Sequence, residues 1–177
     1  MQIEKIFEVL EYASELHKDQ RRKGNGGSPY VNHLIEVASL LSRVAKVTDQ
    51  EVIIAAILHD ALEDTDAREG DIFDLFGDTV LGYVKHLTDD KTLSLEKRRI
   101  AQLKSIENSS SQIQLIKLAD HCSNIASLPP SWDRARLESY ISWSHSIAVH
   151  CYSASEELAK VYKKRYDSAL EICVSQA

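Results

Sequence analysis

Residues 52–66, VIIAAILHDALEDTD, constrain the fold more than any other stretch of the chain. Val52 to Leu58 are consecutive apolar side chains, the pattern of a helix enclosed on all sides by other helices. His59, Asp60, Glu63, Asp64 and Asp66 follow within two turns. A histidine and several carboxylates at the end of a dry helix are costly unless a metal, a proton or hydrogen bonds compensate them. At about 3.6 residues per turn, His59 lies over Glu63 and Asp60 over Asp64. The adjacent His59-Asp60 pair therefore offers a nitrogen and an oxygen to one cation, with two more acids a turn further on.

The 177 residues provide for a single domain, 1–177, with a substantial core. Hydrophobic residues make up 44% and charged residues 27%, which excludes disordered and membrane classes. No apolar run approaches the ~20 residues of a membrane span. The N-terminal MQIEKIFEVLEYA is amphipathic and acidic rather than a basic region followed by an apolar one, so a cytoplasmic location is expected. A net charge of −6 excludes a global attraction for nucleic acid or an anionic membrane, and an anionic ligand must be met by local cations. Two clusters qualify, Arg21-Arg22-Lys23 and Lys97-Arg98-Arg99, although such runs are more often solvated surface. Cys122, Cys151 and Cys173 have no CxxC spacing and are odd in number, which points to reduced, structural thiols.

Helical periodicity runs along the whole chain. Ile3, Ile6, Phe7, Leu10, Ala13, Ser14 and His17 mark a first amphipathic helix, ended by the loop Gly24 to Pro29. A second helix, about Asn32 to Lys46, carries His33 in its first turn, and Thr48 and Asp49 cap the buried helix. Beyond the acids come a helix at Glu69 to Phe76 stopped by Gly77, then one at Thr79 to Leu87 capped by Asp78. Further helices are expected at Ser94 to Glu107, Gln112 to Leu128, Asp133 to Cys151 with Trp143 buried, and Ser155 to Val174. Period-two alternation is absent. The expected fold is all-α, one helical bundle of about eight to ten helices with at most a small hairpin near Asp89.

His33, His59, Asp60 and Asp120 are candidates for a single metal, since each lies on or beside an apolar helical segment. Two imidazoles with two carboxylates suit a first-row divalent ion, and the oxygen content favours Mn²⁺ or Fe²⁺, with Zn²⁺ or Co²⁺ compatible with the same donors. An octahedral ion with four protein ligands keeps places for water and a phosphate oxygen, as a phosphohydrolase requires. Glu63 and Asp64 are placed to take a proton from that water or to orient it. Asn124, one turn after Asp120, can bond a ribose or support the ligands, and the basic clusters can hold phosphates. Taken singly, each of these residues has an ordinary structural reading: a helix cap, a salt-bridge partner or an exposed histidine. His17, His86, His121, His145 and His150 are read as structural, because none sits beside an acid pair at ligand spacing.

Four ordered motifs make the pattern more specific: SPYVNH at 28–33, HDALEDTD at 59–66, TDDKT at 88–92 and KLADHCSN at 117–124. In order and spacing they resemble the hydrolase domain of the Rel/Spo homologues, within the His-Asp (HD) phosphohydrolase superfamily. The likeness is closest to the stand-alone members, the small alarmone hydrolases and metazoan SpoT homologues, and spans about residues 3 to 165. It implies an HD-type helical bundle acting as a manganese-dependent 3′-pyrophosphohydrolase of guanosine tetra- and pentaphosphate, a single-function hydrolase with no synthetase domain following.

The resemblance implies metal ligation by His33, His59, Asp60 and Asp120, with Glu63 and Asp64 as the catalytic acid pair. It also implies nucleotide or phosphate contacts from Arg22, Lys23, Asn124, Arg136 and Tyr140, and from Lys97 or its neighbour Arg98. The chain departs from the family in its acid-free, glycine-rich loop between Lys23 and Pro29, and in His-Cys-Ser-Asn after Asp120, where a basic residue, Leu and an aromatic or His usually precede Asn. These departures bear on substrate preference. A rival within the same fold is a phosphatase of another nucleotide, such as NADPH or a nucleoside monophosphate; a rival of another class is a non-catalytic nucleotide-binding module.

Overall fold

The computed structural model describes residues 2–175 and contains ten α-helices in that span, with no β-strand among the described residues. The helices are α1 (Ile3–Leu16), α2 (Val31–Arg43), α3 (Gln50–Leu58), α4 (Ala61–Asp64), α5 (Glu69–Phe76), α6 (Asp78–Leu87), α7 (Leu95–Glu107), α8 (Ser111–Ile125), α9 (Arg134–Cys151) and α10 (Glu156–Ser175). The expected hairpin near Asp89 does not form. An isolated antiparallel bridge joins Arg21 and Pro29 instead, across the glycine loop.

Two helices form the centre. In α3 every residue from Val52 to Leu58 is buried, and the helix packs against α1, α2, α6 and α8. Asp49 starts it, its carboxylate accepting from the amides of Glu51 and Val52. The α8 helix, capped by Ser110 Oγ, packs against α2, α3, α6, α9 and α10. Burying a helix of this composition contributes on the order of 1.5–3 kcal/mol for each large aliphatic side chain. The ends of α3 and α8 are therefore held more firmly than a surface loop would be.

Several boundaries differ from the sequence reading for local reasons. Gly77 has φ 90°, a left-handed conformation that lets one residue close α5 and open α6, so Asp78 is the first helical residue and makes no capping bond. The α8 helix stops at Ile125, before Pro129-Pro130, where the chain turns beneath the basic loop. A β-carbon on Gly24 would stand 2.2 Å from the Ser127 carbonyl oxygen, so only glycine lets that loop lie on the end of α8. In α1 the inner face is Ile6, Val9, Leu10 and Ala13, while Ile3 and Phe7, expected inside, are 69% and 67% exposed. Trp143 is half-buried rather than buried.

The three cysteines are free and buried, and burial pushes the Cys122 and Cys151 thiols up to about 12, which keeps them protonated. Burial likewise lowers His121 to about 4, so its neutral ring shares hydrogen bonds with Ser144, which in turn meets Tyr162. Among the described residues no helix is long and apolar enough to cross a membrane.

Replacing Ile72, fully buried on α5, by Ala is expected to cost about 2–5 kcal/mol in urea unfolding. Phe7→Ala should change stability by less than about 0.5 kcal/mol. Equal losses for the two would contradict this assignment of the α1 face.

Candidate active site

The helix carrying the apolar run stops at Leu58, one residue before its histidine. His59 and Asp60 form a turn, Asp60 lying near φ −99°, ψ 0°, and the chain recoils into the short α4. The turn lets two adjacent side chains reach one point. His33 enters from the first turn of α2, and Asp120 from the middle of α8.

Segments distant in sequence thus converge. His33, His59 and Asp60 each bring a donor atom to within 4.8 Å of the others'. The His59 Nε2 lies 3.0 Å from Asp60 Oδ2 and 3.6 Å from Asp120 Oδ1, and the His33 Nε2 lies 3.7 and 3.3 Å from the same two oxygens. All four residues expected from the sequence therefore meet, and His33 is buried rather than exposed.

The hydrogen bonds around the cluster determine what it can hold. His59 Nδ1 lies 2.8 Å from the Ala56 carbonyl oxygen, which only accepts, so Nδ1 carries a proton and Nε2 is the nitrogen turned to the carboxylates. Burial would lower this imidazole, but Asp60 and Asp120 outweigh it and hold it well above its ordinary value, so Nε2 keeps a proton until a metal ion replaces it. Both Nε2 atoms are buried without a hydrogen-bond partner while facing carboxylates. Buried ring nitrogens set against anionic oxygens need a positive charge between them, either a proton on His59 or a metal ion, and two imidazoles with two carboxylates suit a divalent first-row ion. Burial alone would raise the Asp60 and Asp120 carboxyls, but the positive charge and hydrogen bonding of the protonated His59, with His33 and, for Asp120, Lys117 adding to it, outweigh burial and hold both below the usual carboxylate range. Both are ionised and ready to ligate.

The ligands are themselves held. The Tyr30 hydroxyl donates to Asp60 Oδ2 at 2.6 Å, and burial, then the Asp60 charge, push this phenol far up, so it remains a donor. The Asn124 amide donates to Asp120 Oδ1 at 2.6 Å, and Arg22 Nη1 donates to Asn124 Oδ1 at 2.8 Å. Lys117 Nζ stands 3.8 Å from Asp120 Oδ2; burial would lower its pKa, but Asp120 and nearby acids more than compensate, so it stays charged.

Glu63 and Asp64 follow on α4. Glu63 is half-buried and accepts the Asp89 amide at 3.0 Å. Burial pushes its carboxyl above the usual range, the Asp89 amide works against that rise, and the charges of Asp89, Asp60 and Asp64 add to it. Asp64 is exposed, with Oδ1 taken by Lys91 at 2.6 Å and Oδ2 by Gln20 at 3.1 Å.

A cleft of about 520 Å³ is lined by Arg22, Lys23, Tyr30, Asp64, Asn124, Trp132 and Tyr140, among others. Trp132 and Tyr140 also border a second lobe of about 320 Å³ that contains Arg98, Arg99, Arg136 and Trp143. The Arg136 guanidinium lies 4.5 Å from the Trp132 ring, and that of Arg99 lies 5.0 Å from Trp143. A third cavity of about 250 Å³ exposes Arg98, Gln102 and Lys117 beside Asp89. Such aromatic walls interleaved with cations suit a nucleotide with more than one phosphate group.

A model of the HD domain family matches residues 9–140. The chain belongs to the HD domain family. It is 42% identical over 147 residues to the guanosine-3′,5′-bis(diphosphate) 3′-pyrophosphohydrolase MESH1 of Drosophila melanogaster, covering 81% of this chain and 82% of that protein. To human MESH1 it is 35% identical over 162 residues, 89% of this chain and 90% of that protein. A solved structure described as a metazoan orthologue of SpoT that hydrolyses ppGpp superposes with a TM-score of 0.89 at 36% identity, covering 95% of this chain and 97% of that one.

Of the residues expected to touch substrate, Arg22, Lys23, Asn124 and Tyr140 line the main cleft and Arg136 the second lobe. Lys97 is exposed in the first turn of α7 and borders none of these cavities, while its neighbours Arg98 and Arg99, further round the helix, face them. Sequence reasoning missed Tyr30 and Lys117, although both lie inside quoted motifs. It also missed Trp132, which carried no signal apart from being an aromatic after a proline pair.

Adding Mn²⁺ to metal-free protein is expected to raise its melting temperature. Asp120→Ala should abolish that rise while leaving a folded protein by circular dichroism. A rise of equal size in both proteins would place the cation elsewhere.

Proposed function

We propose that this chain is a metal-dependent 3′-pyrophosphohydrolase of guanosine tetra- and pentaphosphate, with manganese as the ion and His33, His59, Asp60 and Asp120 as its ligands. The reading is carried by one observation: two imidazole nitrogens without hydrogen-bond partners face two ionised carboxylates beside a lobed, cation-lined cleft. The relatives named for this activity cover most of the chain.

The bound ion supplies a more acidic water and draws charge from the phosphorus under attack. The protein's own groups supply the rest. Glu63, with its raised pKa, is the proton acceptor for the attacking water, since a carboxylate nearer neutrality is the better base. Asp64, fixed by Lys91 and Gln20, orients that water. The water oxygen bonds to the 3′-diphosphate phosphorus nearer the ribose and the bond to O3′ breaks, giving pyrophosphate and GDP or GTP. Arg22 and Lys23 neutralise phosphate charge in the main cleft, and Arg98, Arg99 and Arg136 do so across the Trp132-Tyr140 wall.

Purified protein with guanosine tetraphosphate and Mn²⁺ is expected to release pyrophosphate; orthophosphate as the sole inorganic product would favour a different phosphoester. Glu63→Gln should lower kcat by about 10²–10⁴-fold while keeping the metal-induced melting shift. As Glu63 must be deprotonated to act, kcat in the wild type should fall as pH drops through its raised pKa. That acidic limb should vanish in Glu63→Gln, and its persistence would assign it to another group.

A further inference from the structure

The two imidazoles are held by different means. His59 is oriented by a backbone carbonyl, which no side-chain substitution removes. His33 is oriented by side chains. Its Nδ1 lies 2.8 Å from Ser123 Oγ, and the Ser123 hydroxyl lies 2.7 Å from Glu36 Oε2. Glu36 Oε1 accepts from Arg165 Nη1 on α10 at 2.8 Å, and the same Nη1 donates to the Cys122 carbonyl at 2.8 Å.

The direction of the proton in each link follows from chemistry. Burial would raise the Glu36 carboxyl, but the Ser123 and Arg165 hydrogen bonds outweigh it and hold it below the usual range. An ionised carboxylate only accepts, so the one Ser123 proton goes to Glu36. The Ser123 oxygen must then accept from His33, which puts the ring proton on Nδ1 and the lone pair on Nε2, facing Asp120 and Asp60. The spacing matches on both helices: Glu36 comes three residues after His33 on α2, and Ser123 three after Asp120 on α8. Ser123 stands where the sequence departs from the Rel/Spo pattern, and Glu36 supplies the acceptor that this serine needs.

We infer that Glu36 and Ser123 are positioning residues that fix the His33 tautomer for cation binding, with Arg165 clamping Glu36 so that the C-terminal helix is tied to the metal centre. The inference rests on the metal-site reading above. It makes an unusual demand on an isosteric change. In Glu36→Gln, Arg165 still donates toward the side chain, so the amide oxygen must face Arg165 and its NH₂ must face Ser123. Ser123 then accepts from Gln, and its own proton is left for His33 Nδ1, which favours the ring proton on Nε2 and blocks the lone pair; keeping Nδ1 protonated would instead leave the buried hydroxyl proton without this acceptor. Removing Arg165 as well frees the amide to rotate and restores the original direction.

The test is calorimetric titration of metal-free protein with Mn²⁺, for the wild type, Glu36→Gln, Ser123→Ala and the double variant Glu36→Gln/Arg165→Met, with the melting temperature of each metal-free form as a folding control. Glu36→Gln and Ser123→Ala are expected to weaken Mn²⁺ binding by about 10–100-fold, and at saturating Mn²⁺ to leave the KM for guanosine tetraphosphate unchanged. The double variant should bind more tightly than Glu36→Gln alone, a recovery that a merely structural role does not produce. Wild-type affinity in Glu36→Gln overturns the inference, as does a double variant weaker than the single. If Glu36→Gln does not fold, Ser123→Ala decides by the same criterion. A wild type that binds no Mn²⁺ refutes the metal site itself, an outcome distinct from loss of the relay alone.

Discussion

Two imidazole Nε2 atoms and two ionised carboxylates, directed at one another inside a helical bundle, are the interaction on which this structure depends. Without a positive charge between them the arrangement is repulsive, and burial makes it more so. The protein nevertheless builds the cluster from deeply buried helical segments: the end of a helix buried on every side, the first turn of α2 and the middle of α8. The core therefore serves the site directly. It fixes three backbone segments so that four side chains meet at one point.

Charge is distributed with the same economy. The molecule carries a net −6, yet its cleft walls present guanidinium and ammonium groups next to indole and phenol rings. Local field, not overall charge, selects the ligand. Glu63 and Asp64 are consecutive in sequence but have different surroundings: one is half-buried beside other acids, the other is exposed and fixed by a lysine and a glutamine. Such a divergence lets two like residues take separate roles in one reaction.

Much of this was legible in the sequence. The run at 52–58 read as a buried helix, its acidic end as a compensated site, and Asp49 as a residue whose carboxylate caps that helix. The illegible parts depended on tertiary placement. Ile3 and Phe7 share helical spacing with the inner stripe, but α1 turns a neighbouring strip toward the core. Asp78 looks like a cap, yet the left-handed Gly77 starts the helix one residue sooner. Lys97 and Arg98 are adjacent, and only the rotation of α7 decides which faces the cleft. Ser123 stood out only as part of a departure from the Rel/Spo pattern, and Glu36 and Arg165 had no signal, since a glutamate and an arginine on separate helices are ordinary until they are found in hydrogen-bond contact.

Tyr30 and Asn124 line the nucleotide cleft on one side and hydrogen-bond Asp60 and Asp120 on the other. The floor of one compartment is thus the outer support of the next. A molecule that settles against those two side chains stiffens the carboxylates beneath, and an ion gripping the carboxylates stiffens the floor. Thermodynamic reciprocity requires the two effects to be equal. On the proposed reading, an ion and a nucleotide held through these two side chains are coupled, so an affinity measured for one has meaning only at a stated concentration of the second.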